Sequence, residues 1–554
     1  MQAGSLSPRA PYDLGISRRV FLRGCALSAI ALAAGLSTRR AAALAPAQIP
    51  FALGVASGDP AHDSVVLWTR LAMEPLNGGG MPPAPVEVKW RVATDGQMRH
   101  LVRQGTVVAL PEDGHSVHVR VHGLAPDRWY WYQFETGQEQ SPVGRTRTLP
   151  APSSHSRRLR FAFVSCQHWE SGFYTAWQHL AQEDIDFVVH LGDYIYEDGT
   201  SASWVRQHVP VSEVMTLDDY RNRYAQYRSD ENLQAAHAQF PFIVTWDDHE
   251  VENDYAGNVS EDNDDADPAN DVAAAEFEAR RARAYKAYFE HMPLDPRHRT
   301  SGASLPLFRS FRWGLLAQFH LLDTRQFRSN QPCGGAKDLL LPTGDDLVIP
   351  CGEELNPNTS MTGDAQQEWL LDGLRNSHAR WNVIAQQVMM AAVDFGPGAA
   401  LFDSRLAGLQ VRNVDAWDGY VAARNRLLGA IHEEAIKNLI VLTGDMHSSW
   451  VADLKTDFTD PASSRVGTEL VGPSISSGFP AEFVPIVEAA LLDPANAHIK
   501  FFDGSSHGYV RCVVTPEQWR SDYRVVDNVL FPSAAVRTLQ SFTVRAGLPG
   551  SLVA

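Results

Sequence analysis

The sequence predicts an α/β protein in which an N-terminal all-β sandwich precedes a larger α/β domain. Residues 46–149 consist of short alternating strands separated by turn residues, which is typical of a sandwich. From about residue 158, apolar runs alternate with helical stretches and long loops, as in α/β domains. Four of these runs end in clusters of Asp, His and Cys. We therefore predict the functional domain at 158–535, with a C-terminal tail at 536–554.

Residues 1–45 are predicted to be a twin-arginine signal peptide and not part of the fold. Arg18 and Arg19 lie in a basic segment before a short apolar run at 25–36, and the stretch ends at Ala43-Leu44-Ala45. A membrane anchor is the alternative, but the run is well short of the roughly 20 residues that a span needs. We expect export by the twin-arginine machinery to the periplasm or the extracellular space, and no transmembrane segment.

Composition and charge limit the possible functions. The chain has 554 residues, of which 44% are hydrophobic and 20% charged, as expected for a globular protein with a large core. Residues 1–45 carry six arginines and one aspartate, so without them the net charge changes from −17 to −22. So acidic a surface repels nucleic acid, and a phosphorylated substrate would need metal ions or a few arginines. We expect a monomer without a nucleic-acid-binding surface.

Local patterns predict several individual elements. Strands of the sandwich are expected at 64–69, 86–92, 115–121 and 129–134. An amphipathic helix is predicted at 271–291, with Asp271 as its N-cap. Cys333 and Cys351 bracket a Gly/Pro-rich loop and are predicted to form a disulfide in an oxidising compartment. Cys512 lies in an apolar run and is predicted to be an inert core thiol.

Possible metal ligands follow four apolar runs of the second domain. The segments are Cys166-Gln167-His168, Gly192-Asp193-Tyr194-Ile195-Tyr196, Asp247-Asp248-His249-Glu250 and Gly444-Asp445-Met446-His447, after the runs 159–165, 185–191, 241–246 and 438–443. In a doubly wound sheet such strand ends converge on one edge. Each segment alone has an ordinary explanation: a buried thiol at Cys166, a turn or helix cap at Asp247-Asp248, a core histidine at His249. Their combination favours a metal site.

The ligand types narrow the choice of metal. Thiolate, phenolate and imidazole together suit a transition metal, and phenolate with carboxylate favours ferric iron. A cluster of carboxylates suits Ca²⁺ or Mg²⁺. A bridging aspartate commonly holds two metal ions at about 3.5–4 Å for phosphoryl chemistry. Asp193 is the best candidate for this bridge, because it directly follows a strand and a glycine.

Together with Pro50–Pro60 and Leu322–Arg328, these segments resemble the PhoD-type alkaline phosphatase family. This family is a branch of the calcineurin-like metallophosphoesterases and is related to purple acid phosphatases. The resemblance implies a calcineurin-like second domain with two β-sheets flanked by helices, and we expect a fibronectin III-like sandwich before it. It implies Fe³⁺ held by Cys166, Asp193, Tyr196 and His447, and Ca²⁺ held by Asp193, Asp248 and Asp445. Compared with the wider superfamily, Cys166, Asp248 and Asp445 replace an aspartate, an asparagine and a histidine, as in PhoD-type enzymes.

The resemblance also implies a function. We expect a secreted alkaline phosphatase and phosphodiesterase that hydrolyses phosphate mono- and diesters, with a metal-activated hydroxide or oxo nucleophile at an Fe/Ca site. Arg325 is predicted to clamp the phosphate, since a guanidinium group matches two phosphate oxygens. The alternative for Arg325 is a structural ion pair with Asp323 or another carboxylate. By analogy with the superfamily, His249 would stabilise the transition state or protonate the leaving group.

Other functions are weighed against this one. A phospholipase D-like action on phospholipid head groups is the main alternative, and the sequence leaves open which esters are preferred. Gly504-Ser505-Ser506-His507-Gly508 matches the pattern of serine esterases, but it lies in a strand–turn–strand context that does not suit Ser506 as a nucleophile. The acidic stretch 252–271 does not match a calcium-binding EF-hand. A non-catalytic calcium-stabilised module would not need Cys and Tyr at strand ends. Roles for Asp247, Asn253 and His507 stay open.

Overall fold

The structure is a computed structural model that describes residues 50–200, 205–264, 271–300, 302–334 and 347–553. The signal peptide predicted at 1–45 lies outside these residues. Within them, no helix is both long enough and apolar enough to cross a bilayer.

Eight strands form the first part of the described chain. They are β1 (Val55–Gly58), β2 (Ser64–Arg70), β3 (Val86–Ala93), β4 (Leu101–Ala109), β5 (Ser116–His122), β6 (Trp129–Thr136), β7 (Glu139–Gln140) and β8 (Gly144–Arg147). All four strands predicted for this region are confirmed within one or two residues. The rule that side chains alternate between the two faces of a strand was sufficient to find them.

The second part alternates strands and helices. Its strands are β9 (Leu159–Val164), β10 (Phe187–His190), β11 (Pro241–Val244), β12 (Arg309–Trp313), β13 (Ala317–Leu321), β14 (Leu347–Val348), β15 (Trp381–Gln386), β16 (Arg412–Asn413), β17 (Leu439–Thr443), β18 (Ser449–Lys455), β19 (Arg465–Val471), β20 (Ile499–Asp503), β21 (His507–Val514), β22 (Gln518–Val526), β23 (Val536–Arg545) and β24 (Leu548–Val553). Its helices are α1 (Thr175–Leu180), α2 (Leu217–Arg228), α3 (Glu231–Gln239), α4 (Ala274–His291), α5 (Gly363–Arg375), α6 (Gly396–Phe402), α7 (Val421–Glu433) and α8 (Val484–Ala490).

Two large sheets lie face to face at the centre. Among the described residues, one has the strand order β24-β23-β22-β21-β9-β10-β11-β1-β2-β5, and the other has the order β12-β13-β15-β17-β19-β18-β20. Alternation along β9 explains the layers. Phe161 and Phe163 belong to the core between the sheets, whereas Ala162 and Val164 belong to the core under α1–α4. Helices α5–α8 cover the outer face of the second sheet in the same way. The prediction of two sheets flanked by helices is confirmed.

The N-terminal sandwich shares one of its sheets with the α/β domain. Strand β1 pairs in parallel with β11, and β2 and β5 extend the same sheet. The small sheet β4-β3-β6-β7, with β8 beside β6, packs on these strands through a separate core that includes Val65, Leu67, Val88 and Phe134. The sandwich predicted at 46–149 and the domain predicted at 158–535 are therefore joined by continuous strand pairing.

Two predictions at the edges of elements are corrected. Residues 536–554 are not a tail within the described part, because β23 pairs with β22 and β24 pairs with β23. Phe542 and Val544 of β23 are buried in the core between the sheets. The predicted helix at 271–291 exists as α4, but it begins at Ala274 and Asp271 does not cap it. The buried stripe of α4 starts at Phe277, within one turn of that first residue.

The two predictions for structural cysteines are confirmed. Cys333 and Cys351 form a disulfide with a Cα–Cα distance of 5.8 Å. Cys512 is a free, fully buried cysteine on β21 that packs in the core between the sheets.

Candidate metal centre

The predicted strand ends meet at one place. Strands β9, β10 and β11 are parallel neighbours in the first sheet, so the loops that follow them lie at one edge. The fourth segment follows β17 of the second sheet, so the prediction that all four belong to one doubly wound sheet is wrong. Ligand atoms of Cys166, Asp193 and His447 lie within 4.8 Å of one another. Ligand atoms of Asp193, Asp248 and His249 form a second group within the same limit. Asp193 belongs to both groups, which is the arrangement that a bridging ligand requires.

The backbone at these loops is strained. Cys166, Asp193, Asp445 and His447 have φ angles of 59°, 55°, 61° and 50°, in the left-handed region that non-glycine residues rarely adopt. Each such residue costs on the order of 1–3 kcal/mol and persists only where the surrounding structure enforces it. Four strand-end residues that could all supply ligands thus share this conformation, and such outliers are typical of functional sites.

Tyr196 connects the Asp193 carboxylate and the imidazole donor. Its hydroxyl donates to Asp193 Oδ2 at 2.9 Å and lies 3.0 Å from His447 Nε2. It also lies 2.7 Å from Ser477 Oγ, a residue that the sequence analysis missed. Burial and the Asp193 carboxylate raise the pKa of both Cys166 and Tyr196 well above their usual values. A thiolate and a phenolate at these positions therefore need a strongly charged cation, which is what ferric iron provides.

Carboxylates surround Arg325 on the other side of Asp193. The guanidinium Nε lies 2.5 Å from Asp247, and Nη1 lies 2.6 Å from Asp415. Nη2 lies 3.4 Å from Asp248 and 3.6 Å from Asp445. The Arg325 side chain has no exposed surface and does not line the cavity described below. The contacts of Nε and Nη1 favour the ion-pair alternative. Nη2 has no hydrogen-bond partner among the described residues, and the phosphate clamp stays a prediction.

This carboxylate cluster has more acceptor oxygens than donors. No hydrogen-bond donor in the described part of the chain reaches Asp193 Oδ1, Asp247 Oδ2 or Asp248 Oδ1, which are all buried. Burial and neighbouring carboxylates raise the pKa of Asp247 and Asp445 well above the usual range. Unsatisfied buried carboxylate oxygens fit a hard divalent cation such as Ca²⁺.

His249 is held by a buried glutamate. Its Nδ1 lies 2.8 Å from Glu197 Oε2, and Glu197 Oε1 accepts from the backbone N–H of Asn253 at 2.6 Å. Burial alone would lower the pKa of His249, but the carboxylates of Glu197, Asp248 and Asp193 raise it well above its usual value. The contact with Glu197 therefore fixes Nδ1 and the orientation of the imidazole ring.

Glu250 fixes two of the strand-end loops to each other. Its carboxylate accepts from the backbone N–H groups of Asp193 at 3.1 Å, Tyr194 at 2.7 Å and Asp247 at 2.9 Å. Burial and the nearby Asp193 raise the pKa of Glu250 to about 8. The sequence pattern predicts no role for Glu250, because backbone hydrogen bonds leave no signal in a sequence.

A cavity of about 350 Å³ opens onto this site. Asp193, Asp248, His249, Asp445 and His447 line it, together with Asn253 and Asp415. Asn253 is thus a neighbour of the site, and Asp415 is a buried carboxylate that the sequence analysis missed.

Ser506 and His507, in the esterase-like pattern, do not have the surroundings of a serine esterase site. Ser506 lies in the turn between β20 and β21, and its backbone N–H donates to Asp503 Oδ1 at 2.9 Å. No helix follows, so the strand-to-helix turn of a serine esterase is absent from this described segment. Burial, with a further contribution from His447, lowers the pKa of His507 to about 4.

The fold and the site define the class of protein. It is a two-sheet α/β protein with a carboxylate-rich candidate metal centre and a neighbouring thiol, phenol and imidazole. Comparisons with known proteins then identify the family. The model of the PhoD-like phosphatase family matches residues 161–523, and the model of its N-terminal domain matches residues 37–150. The chain belongs to the PhoD-like phosphatase family.

Individual relatives agree with the family models. Alkaline phosphatase D of Bacillus subtilis (strain 168) is 47% identical over 506 residues, which are 90% of this chain and 82% of the relative. A solved structure of PhoD matches with a TM-score of 0.83 and 46% identity, covering 92% of this chain and 93% of that one. The resemblance inferred from the motifs is confirmed.

Proposed function

We propose that this chain is an exported, metal-dependent phosphoric ester hydrolase that acts on phosphate mono- and diesters. The observation that carries the proposal is the pair of ligand groups that share Asp193 at the floor of the cavity. The name of the Bacillus subtilis relative, alkaline phosphatase D, supports the same reaction. The fibronectin III-like sandwich, the calcineurin-like second domain, the twin-arginine export and the monomeric state belong to this proposal.

The donor chemistry suggests which residues hold which metal. On the iron side, Cys166, Tyr196 and His447 would bind Fe³⁺ together with Asp193. On the calcium side, Asp248 and Asp445 would bind Ca²⁺ together with the same Asp193. Asp415 contacts the guanidinium group of Arg325, which also faces Asp248 and Asp445. When bound, the two metal ions polarise phosphoryl oxygens and lower the pKa of water.

The protein's own groups complete the chemistry. His249 Nε2 gives its proton to the oxygen of the leaving alcohol, while Glu197 keeps the ring in place. Arg325 is a positioning residue: it neutralises part of the carboxylate charge and holds these side chains in one arrangement. Glu250 positions the backbone of Asp193 and Asp247.

The test is hydrolysis by the purified protein. We expect turnover of 4-nitrophenyl phosphate and bis(4-nitrophenyl) phosphate, loss of turnover with a calcium chelator, and recovery when Ca²⁺ is added back. A lysophospholipid in the same assay tests the phospholipase D-like alternative. Ser506→Ala should retain full activity, because Ser506 lies outside the site. Ester hydrolysis that survives complete removal of the metals would refute the proposal.

A further inference from the structure

The cavity above the metal centre has two kinds of wall. The floor consists of the charged residues described above. The other side, here called the apolar wall, consists of Leu347, Phe395, Met446, Phe479, Pro480 and Phe483. A phosphoryl group would be bound by the metal ions proposed for the floor, so the apolar wall must contact another part of the substrate or stay in water.

The apolar wall has a rigid base and an accessible front. Phe395 and Phe483 are buried in the core under α5–α8, with ring centroids 5.4 Å apart. The Phe479 ring packs on Phe483 at 5.8 Å but is only partly buried, and Pro480 is exposed. Removing such apolar surface from water lowers the free energy, so a ligand that covers the apolar wall binds more tightly.

The same loop touches the candidate iron ligands. Ser477 Oγ lies 2.7 Å from the Tyr196 hydroxyl, and the Gly478 carbonyl lies 3.2 Å from His447 Nδ1. Phe479 follows two residues after Ser477, so their Cα atoms are no more than about 7 Å apart. A group that rests on Phe479 is therefore beside a phosphate bound at the floor.

The size of the cavity fits a substrate larger than phosphate. Its volume of about 350 Å³ is within the range of pockets that enclose whole small-molecule ligands. We propose that the apolar wall is a subsite for an apolar ester group, alkyl or aryl, that the substrate carries on its phosphate, with Phe479 as the specificity-determining residue. This inference rests on the proposed ester hydrolysis.

Phosphonates test the subsite, because they carry a single substituent and are not hydrolysed. Methyl-, butyl- and phenylphosphonate would be measured as competitive inhibitors of 4-nitrophenyl phosphate hydrolysis by the metal-loaded enzyme. We expect the inhibition constant to fall about tenfold from methyl- to phenylphosphonate, the lower end of the effect of apolar groups in such pockets. Phe479→Ala should remove this preference while the inhibition constant of methylphosphonate stays the same.

Two further variants make the result specific. Phe479→Leu keeps an apolar side chain and should restore the preference for butylphosphonate, which excludes misfolding as the cause. Phe327→Ala removes an aromatic side chain that is 38% exposed and does not line the cavity, so it should keep the wild-type preference. Equal inhibition by all three phosphonates, or a preference that survives Phe479→Ala, would overturn the inference. Absence of any ester hydrolysis would instead overturn the proposed function.

Discussion

The two halves of the candidate metal centre differ in how their side chains are satisfied. On the side proposed to bind iron, Tyr196 is already within hydrogen-bonding distance of His447 and Ser477. On the side proposed to bind calcium, described buried carboxylate oxygens lack donors, and one arginine faces several aspartates. The same strand-end geometry thus supports two chemistries. We infer that donor type selects the metal in each half, and that Asp193 couples them.

Exchanging one ligand in each half gives the largest expected effect. Tyr196→Phe should lose iron and keep calcium, whereas Asp445→Asn should lose calcium and keep iron. Each should reduce turnover more than the roughly 100-fold that is typical for loss of a residue that only supports a ligand. Elemental analysis of the purified variants measures both metals. If each variant lost both metals equally, the two halves would not be chemically distinct.

Removing the buried arginine should weaken the calcium side. Arg325→Met leaves several buried carboxylates unpaired, and breaking a buried ion pair typically costs about 3–5 kcal/mol. Denaturant unfolding measures this loss, which should be smaller in excess Ca²⁺ than in chelator. Arg405→Met is the matched control, because Arg405 pairs with Asp403 at the surface and should leave stability close to wild type. If the loss of stability in Arg325→Met were the same with excess Ca²⁺ as with chelator, this arginine would not be linked to the cation.

Removing a side chain that supports an iron-side ligand should have a smaller effect on the site. Ser477→Ala removes the hydroxyl that contacts Tyr196, and we expect iron affinity to fall about 10- to 100-fold, as is usual for residues behind a ligand. Calcium binding should not change. Ser476→Ala is the control, since this hydroxyl donates to the backbone of His168. Equal losses of iron in both variants would show a general effect of the loop.

The smallest effect is a change in pH dependence. Because Glu197 raises the pKa of His249, Glu197→Gln should lower that pKa, and His249 should lose its proton at a lower pH. The alkaline limb of the pH–rate profile should therefore move to lower pH, with less change on the acidic side. Glu213→Gln is a suitable control, because Glu213 is about half exposed and pairs with Arg280. An unchanged alkaline limb would remove His249 from the proton-transfer role.

The sequence predicted those parts of the site that follow buried strands. Asp193, Asp248 and Asp445 were found because an apolar run ends just before each of them. Asp415 and Ser477 were missed because they lie in loops whose position depends on tertiary packing. The burial of Arg325 was equally hidden, since an arginine within a polar motif has the same pattern whether it faces solvent or five carboxylates.

The features of the fold that the sequence did not predict also depend on tertiary packing. Alternation identified the strands of the sandwich, but it could not show that Ser57 of β1 pairs with Pro241 of β11, far along the chain. Pairing partners are chosen by non-local packing, which a local pattern does not contain. The error at 536–554 is of this kind, because β23 becomes a strand of the central sheet only when β22 is beside it.

The most direct test of the account is the metal content of Asp193→Asn. Asp193 is the residue common to both ligand groups, and Asn keeps its size while removing its charge. We predict that the purified variant loses iron and calcium together and has no measurable turnover, while its circular dichroism spectrum stays that of the wild type. Full retention of either metal would contradict the claim that Asp193 joins the two halves.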